Sequence, residues 1–212
     1  MARTYPGTVP IEIRPASADD EPIISQIRRE TWLAAYAQII DPEIIEQVTA
    51  PRDGASAGPR PDRTSLVAVA SPGTALADPR VVVGYTFFGP ERSVAAAASV
   101  GSAGSGPRPG GPPTVGPKPG ALTPAGRAGA TGEVYALYVA PAHWSTGAGR
   151  ALTDAALDGL RATGYRRVVL WTLTENARAR RFYARAGFAP DGATNILTAL
   201  GDVEELRYAR DL

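Results

Sequence analysis

Apolar and polar positions alternate from Val9 to Arg14, with Val9, Ile11 and Ile13 set against Glu12 and Arg14. This pattern predicts a short strand with one buried face. Ser17 then precedes an acidic turn (Asp19, Asp20, Glu21), and apolar residues recur at Ile23, Ile24 and Ile27 and again at Thr31 and Trp32. That is the pattern of an N-capped amphipathic helix. A second helical stretch is predicted from Leu33 to Ile40, ending at Asp41-Pro42, with a further turn or two over Glu43 to Val48. Pro51 to Arg63 reads as a loop. Two strands follow, Ser65 to Ala70 and Val81 to Phe88, and the short connection between them favours antiparallel pairing.

The second half of the chain changes period twice. Glu133 to Val139 is rich in β-branched and aromatic residues and predicts a strand, which Pro141 stops. A glycine-bearing turn then opens a helix, with Ser145 or Thr146 available as N-cap. The helix carries Ala151, Leu152, Ala155, Ala156 and Leu160 and ends at Gly164. Arg167 to Leu173 is nearly continuously apolar, as a central strand buried on both faces would be. The unit from Glu133 to Leu173 therefore predicts a parallel, right-handed β–α–β crossover. Asn176 opens another helix through Ala179, Phe182, Tyr183 and Ala186, closed by Gly187, and Val203 to Tyr208 predicts a last strand.

Composition changes this picture at one place. Residues 89–132 hold 11 Gly and 8 Pro among 44 residues and no aromatic side chain. Such a segment buries too little apolar surface to offset its ordering entropy, so it reads as a disordered surface loop, a lid being the alternative. The rest makes one domain over residues 9–212. A net charge of +1 without a basic run argues against nucleic acid as a partner. There is no cysteine and a single histidine, His143, which argues against disulfides and against a metal site. No apolar run reaches membrane-spanning or signal-peptide length, so a cytoplasmic protein with no membrane partner is expected.

Strand, turn and helix in that order gather unpaired backbone N–H groups at one helix start, where the helix dipole is positive. The site suits a pyrophosphate, and Gly147 and Gly149 let the backbone approach it closely. The segment Trp144-Ser-Thr-Gly-Ala-Gly149 resembles the [Gln/Arg]-x-x-Gly-x-[Gly/Ala] signature of the GNAT acyltransferases, with Trp144 at the Gln/Arg position. Some 25 residues on, Asn-x-x-Ala-x-x-Phe-Tyr-x-x-x-Gly-Phe from Asn176 to Phe188 resembles the family's second signature.

The resemblance implies a GNAT-like α/β fold: a mixed, mostly antiparallel twisted sheet with a central parallel βαβ pair, flanked by helices. It implies acetyl-CoA as co-substrate, held by Leu137, Tyr138 and Val139, by the turn residues Trp144, Ser145, Thr146, Gly147, Ala148, Gly149 and Arg150, and by Asn176. The Val139 N–H would serve the oxyanion. Glu133, counted back from the Gly-x-Gly, stands at the register of a general base; strand alternation places it on one face with Tyr135, Leu137 and Val139, and burial there would raise its pKa. An exposed strand start is the other reading. Tyr183 is either the acid that serves the leaving thiolate or a core tyrosine. Asn176 either caps its helix or bonds the pantetheine amide. Trp32 and Tyr36, four apart on one helix face, form a core stripe or, with Tyr135, line the acceptor pocket. The function implied is acetyl transfer to a primary amine, of a small molecule or a peptide, by direct attack in a ternary complex, since there is no Cys nucleophile for a covalent route. A non-catalytic acyl-CoA sensor of the same fold is the alternative. The oligomeric state stays open, a homodimer included.

Overall fold

The computed structural model describes residues 10–50, 63–71, 81–92 and 130–212. The expectations placed on Val9, on the loops after Pro51 and Ser71, and on residues 93–129 of the Gly/Pro-rich segment lie outside these residues. That segment's ends do not behave as loop: Gly89 and Pro90 extend one strand and Thr131 and Gly132 begin the next.

Seven strands form one sheet: β1 (Ile11–Pro15), β2 (Thr64–Ala70), β3 (Val81–Pro90), β4 (Thr131–Val139), β5 (Arg167–Leu173), β6 (Ala189–Leu197) and β7 (Val203–Asp211). Their order is β1-β2-β3-β4-β5-β7-β6, antiparallel except for the central β4–β5 pair. β6 was not foreseen. It is an edge strand, interrupted between Pro190 and Thr194; its residues alternate between exposed and half-buried, but polar and apolar types do not follow that alternation, with Ile196 exposed and Asp191 and Asn195 half-buried.

The helices divide between the two faces. Helix α1 (Glu21–Tyr36) is continuous through Trp32 and Leu33, where the sequence suggested a break. Ser17 opens a short 3-10 turn instead of capping α1 directly: its N–H and hydroxyl both donate to Asp20, at 2.8 and 3.0 Å. Arg14 grips the same carboxylate with two bonds of 2.7 Å and, with Ser17, holds it near pKa 2 against the effect of burial. Asp41 caps α2 (Pro42–Thr49) by accepting the Glu43 N–H. Ile24 and Ile27 of α1 pack on Val67, Val69 and Tyr85.

Across the sheet lie α3 (Ala148–Ala162) and α4 (Ala177–Arg185). Ala148, Ala151 and Leu152 pack on Ala68, Ala70 and Val83, while Leu157 and Leu160 join Phe88, Val134, Tyr183 and Phe188. Full burial of each such leucine contributes about 1.5–3 kcal/mol, which keeps the start of α3 pressed to the end of β4.

Candidate active site

Strands β4 and β5 pair only from Thr131 to Val134 against Arg167 to Leu170. Beyond that they part, and β5 continues along β7 alone. A wedge therefore opens beside the second half of β4. On its other edge, the Ala140 N–H donates to the Val83 carbonyl at 2.8 Å, which makes Val83–Ala140 a hydrogen-bonded pair. Antiparallel alternation then leaves Gly84–Val139 and Thr86–Leu137 as the non-bonded pairs. The N–H groups of Leu137 and Val139 consequently face the wedge. The Val139 carbonyl is already committed, since it accepts from the Thr31 hydroxyl at 3.1 Å and the Trp144 indole at 2.8 Å.

At the wedge's mouth, Ser145 and Gly147 both have positive φ, 67° and 96°. The N-cap of α3 is Gly147, correcting the assignment to Ser145 or Thr146. The Thr146 hydroxyl donates instead to the His143 carbonyl at 2.8 Å. The first intrahelical bond runs from Ala151 N–H to Gly147 O, so the N–H groups of Ala148, Gly149 and Arg150 lack a helical acceptor. Trp144, which ties the turn to the strand end, carries the Arg178 guanidinium 4.2 Å above its ring. Arg178 thus places positive charge at the turn where the signature's Gln/Arg position is apolar. The wedge and turn border a cavity of about 810 Å³, rimmed also by Arg150, Arg181, Arg185 and Arg210. A helix start with its positive dipole end at the turn, a cationic rim and this volume suit a long anionic ligand such as a nucleotide with a pyrophosphate.

Leu137, Tyr138, Val139, Trp144, Ser145, Gly147, Gly149, Arg150 and Asn176 all line this cavity, whereas Thr146 and Ala148, also expected at the cofactor, do not. Asn176 caps α4, its Oδ1 accepting the Ala179 N–H at 3.0 Å. Tyr183 also lines the cavity. Burial, and next to it the neighbouring Tyr138, pushes its phenol well above the ordinary tyrosine value, so it remains protonated and acts as a donor.

The face assignment of Glu133 is overturned. Phe87 pairs with Ala136 and Phe88 with Val134, so Tyr135 is an extra residue in a bulge. The bulge breaks the alternation. Val134, Leu137 and Val139 face α3 and α4, whereas Ala136 and Tyr138 face α1. Glu133 and Tyr135 line a second cavity of about 120 Å³ on that α1 side, with Trp32, Tyr36, Trp171, Asn195 and Glu205. Nor is Glu133 at an exposed strand start. It is 2 % exposed and accepts three bonds from Arg92: the backbone N–H at 2.7 Å, Nε at 3.2 Å and Nη2 at 2.6 Å. Arg92 in turn lies 3.9 Å over the Tyr135 ring. Arg92→Met would leave this carboxylate with one donor and is expected to cost about 1–3 kcal/mol. Unchanged stability in a urea titration would contradict that pairing.

Trp32 and Tyr36 meet edge to face at 5.2 Å. Trp32 is both core, at 3 % exposure, and cavity wall. Its indole N–H lies by the Tyr138 hydroxyl without reaching a well-formed bond. Tyr36, Tyr135, Tyr138 and Trp171 line both cavities, so the two spaces meet at the wedge from opposite faces of the sheet. Sequence reasoning missed Arg92, Trp171, Asn195 and Glu205.

A family model described as the acetyltransferase (GNAT) family matches residues 72–188, more than half of the chain. The chain belongs to the GNAT family. The same fold is found in the PaiA N-acetyltransferase of Thermoplasma acidophilum, solved with coenzyme A (TM-score 0.61, 17% identity, 95% of this chain and 99% of that one). A GCN5-related N-acetyltransferase from Rhodopseudomonas palustris is similar too (TM-score 0.60, 16% identity, 99% of both chains). In sequence, a mycothiol acetyltransferase of Beutenbergia cavernae is 57% identical over 61 residues, 29% of this chain and 20% of that protein. One from Cellulomonas flavigena is 46% identical over 72 residues, 34% of this chain and 21% of that protein. The chain thus spans about a fifth of the length of the curated relatives it matches. Among the described residues no cluster of metal-ligating side chains occurs, and no helix is long and apolar enough to cross a membrane.

Proposed function

We propose that this GNAT protein transfers an acetyl group from acetyl-CoA to a primary amine by direct attack in a ternary complex. The observation that carries the reading is the wedge between β4 and β5, where a large cation-rimmed cavity on one face meets a small acid-bearing cavity on the other. Acetyl-CoA supplies the activated acyl thioester. The N–H groups of Ala148, Gly149 and Arg150 hold its pyrophosphate, and the Leu137 and Val139 N–H groups pair with its pantetheine arm. The Val139 N–H also stabilises the acyl oxygen as charge develops there, the role that fixed backbone donors fill best.

Glu133 takes the amine's proton, directly or through a water. Tyr183 donates a hydrogen bond to the departing sulfur; its raised pKa makes a bond to the thiolate the better reading than full proton transfer. The acceptor is a primary amine of a small molecule or of a peptide. The assay is thiol release from acetyl-CoA across an amine panel, read with a thiol-reactive dye to which a cysteine-free chain adds no background. Turnover is expected. Acetyl-CoA binding with no thiol released for any amine would favour a sensor instead. Tyr183→Phe is expected to slow turnover at every pH, and a parental rate would leave that hydroxyl as packing.

A further inference from the structure

Glu133 is not the only carboxylate in the small cavity. Glu205 projects into it from β7, half-buried, opposite Asn195 of β6. Among the described residues its one hydrogen bond comes from the Asn195 amide, at 3.0 Å. Among the described residues, the charged groups around it are otherwise committed. Arg92 is spent on Glu133. Arg207, two residues on and on the same face of β7, is paired with Asp191 at 2.9 Å and Glu91 at 3.0 Å. Glu204 points the other way, to the Thr174 hydroxyl. The cavity therefore holds one carboxylate neutralised by an arginine and one that is not, between the aromatic walls of Trp32, Tyr36 and Tyr138.

We propose that Glu205 is the acceptor-binding residue, which receives the substrate's ammonium group and selects primary amines that carry no carboxylate beside the amine. This rests on the acetyl-transfer reading above. A cation placed here gains the Glu205 carboxylate, which no described cation pairs, and the flanking rings. A carboxylate on the neighbouring carbon meets Glu205 and Glu133 and, among the described residues, finds no free cation, because the Arg92 guanidinium in the wall is occupied. Burial, aided by the nearby Glu133, raises the pKa of Glu205 against the pull of Asn195 and Arg92, so an arriving ammonium relieves a charge that the fold leaves under-solvated.

The test uses the full chain with a matched pair, 2-phenylethylamine and phenylalanine, and compares the parent with Glu205→Gln and Glu205→Asp. Glu205→Gln keeps the shape and the Asn195 bond. Loss of one charge-assisted bond is expected to raise KM for phenylethylamine roughly tenfold to a hundredfold, with kcat within about threefold. The preference for the amine over the amino acid should narrow in Glu205→Gln and be partly restored in Glu205→Asp, a signature that a merely structural role would not produce. An unchanged KM, a fall confined to kcat, or a parent that prefers phenylalanine overturns the proposal. Should the parent release no thiol with any amine, the acetyl-transfer reading fails. Calorimetry of phenylethylamine on the CoA-loaded parent and Glu205→Gln then decides the binding role by itself, equal affinities overturning it.

Discussion

Replacing Glu133 by Gln is expected to lower the rate of acetyl transfer by roughly 10²–10⁴, the usual worth of a positioned general base, while acetyl-CoA affinity barely changes. The substitution keeps the shape but removes the proton acceptor. The deficit should shrink as pH rises, because more of the free amine then arrives already neutral. The structure adds a condition. Glu133 accepts from both the backbone and the guanidinium of Arg92, and an amide cannot accept on both ends. Some stability is therefore lost, about 1–3 kcal/mol, and rates must be compared at a temperature where both proteins are folded. A Glu133→Gln enzyme with the parental rate and pH profile would move the base elsewhere, Glu205 being the nearest other carboxylate in the cavity.

The second large effect falls on the cofactor. Gly147→Asp is expected to abolish the rise in melting temperature that acetyl-CoA gives the parent. At φ 96° any side chain is strained, and this one would carry negative charge to the three N–H groups offered to the pyrophosphate. The strain itself costs about 1 kcal/mol, so the apo melting temperature should drop as well. The informative quantity is the ligand-induced shift in each protein. An equal shift in both would remove the pyrophosphate from this turn.

How much of this was legible before the fold was known differs between elements. Elements whose side chains alternate or repeat against one core were readable: Arg167–Leu173 matches its predicted bounds, and the helix from Asn176 carries its cap and its closing glycine where expected. Turn chemistry near the pyrophosphate site was readable as composition but not as geometry, since Ser145, Thr146 and Gly147 are all plausible caps and only backbone angles choose among them. The edge strand Ala189–Leu197 was invisible because its polar and apolar residues do not follow its exposure.

Glu133 shows a different limit. Its position in the family register was plain, but its face depended on a bulge at Tyr135, and nothing in Glu-Val-Tyr-Ala-Leu announces an extra residue. Arg92 was counted with the Gly/Pro-rich segment, whereas it closes over the carboxylate from the end of the preceding strand. Glu205 reaches the site only because β7 lies beside β5, a pairing between strands separated by a helix and an edge strand. Alternation in Val203-Glu-Glu-Leu-Arg-Tyr sets Glu205 with Val203 and Arg207, opposite the apolar Leu206 and Tyr208, so the sequence pattern reads this carboxylate as solvent-facing.

The most direct test of the account is a crystal structure of the protein with acetyl-CoA. The account predicts the pyrophosphate on the N–H groups of Ala148, Gly149 and Arg150, the pantetheine arm in the wedge along Leu137 to Val139, and the acetyl oxygen about 3 Å from the Val139 N–H. The acetyl carbon would then face the small cavity that holds Glu133 and Glu205. A cofactor bound outside the wedge, or bound there with its acetyl group turned away from Val139 towards solvent, would contradict it.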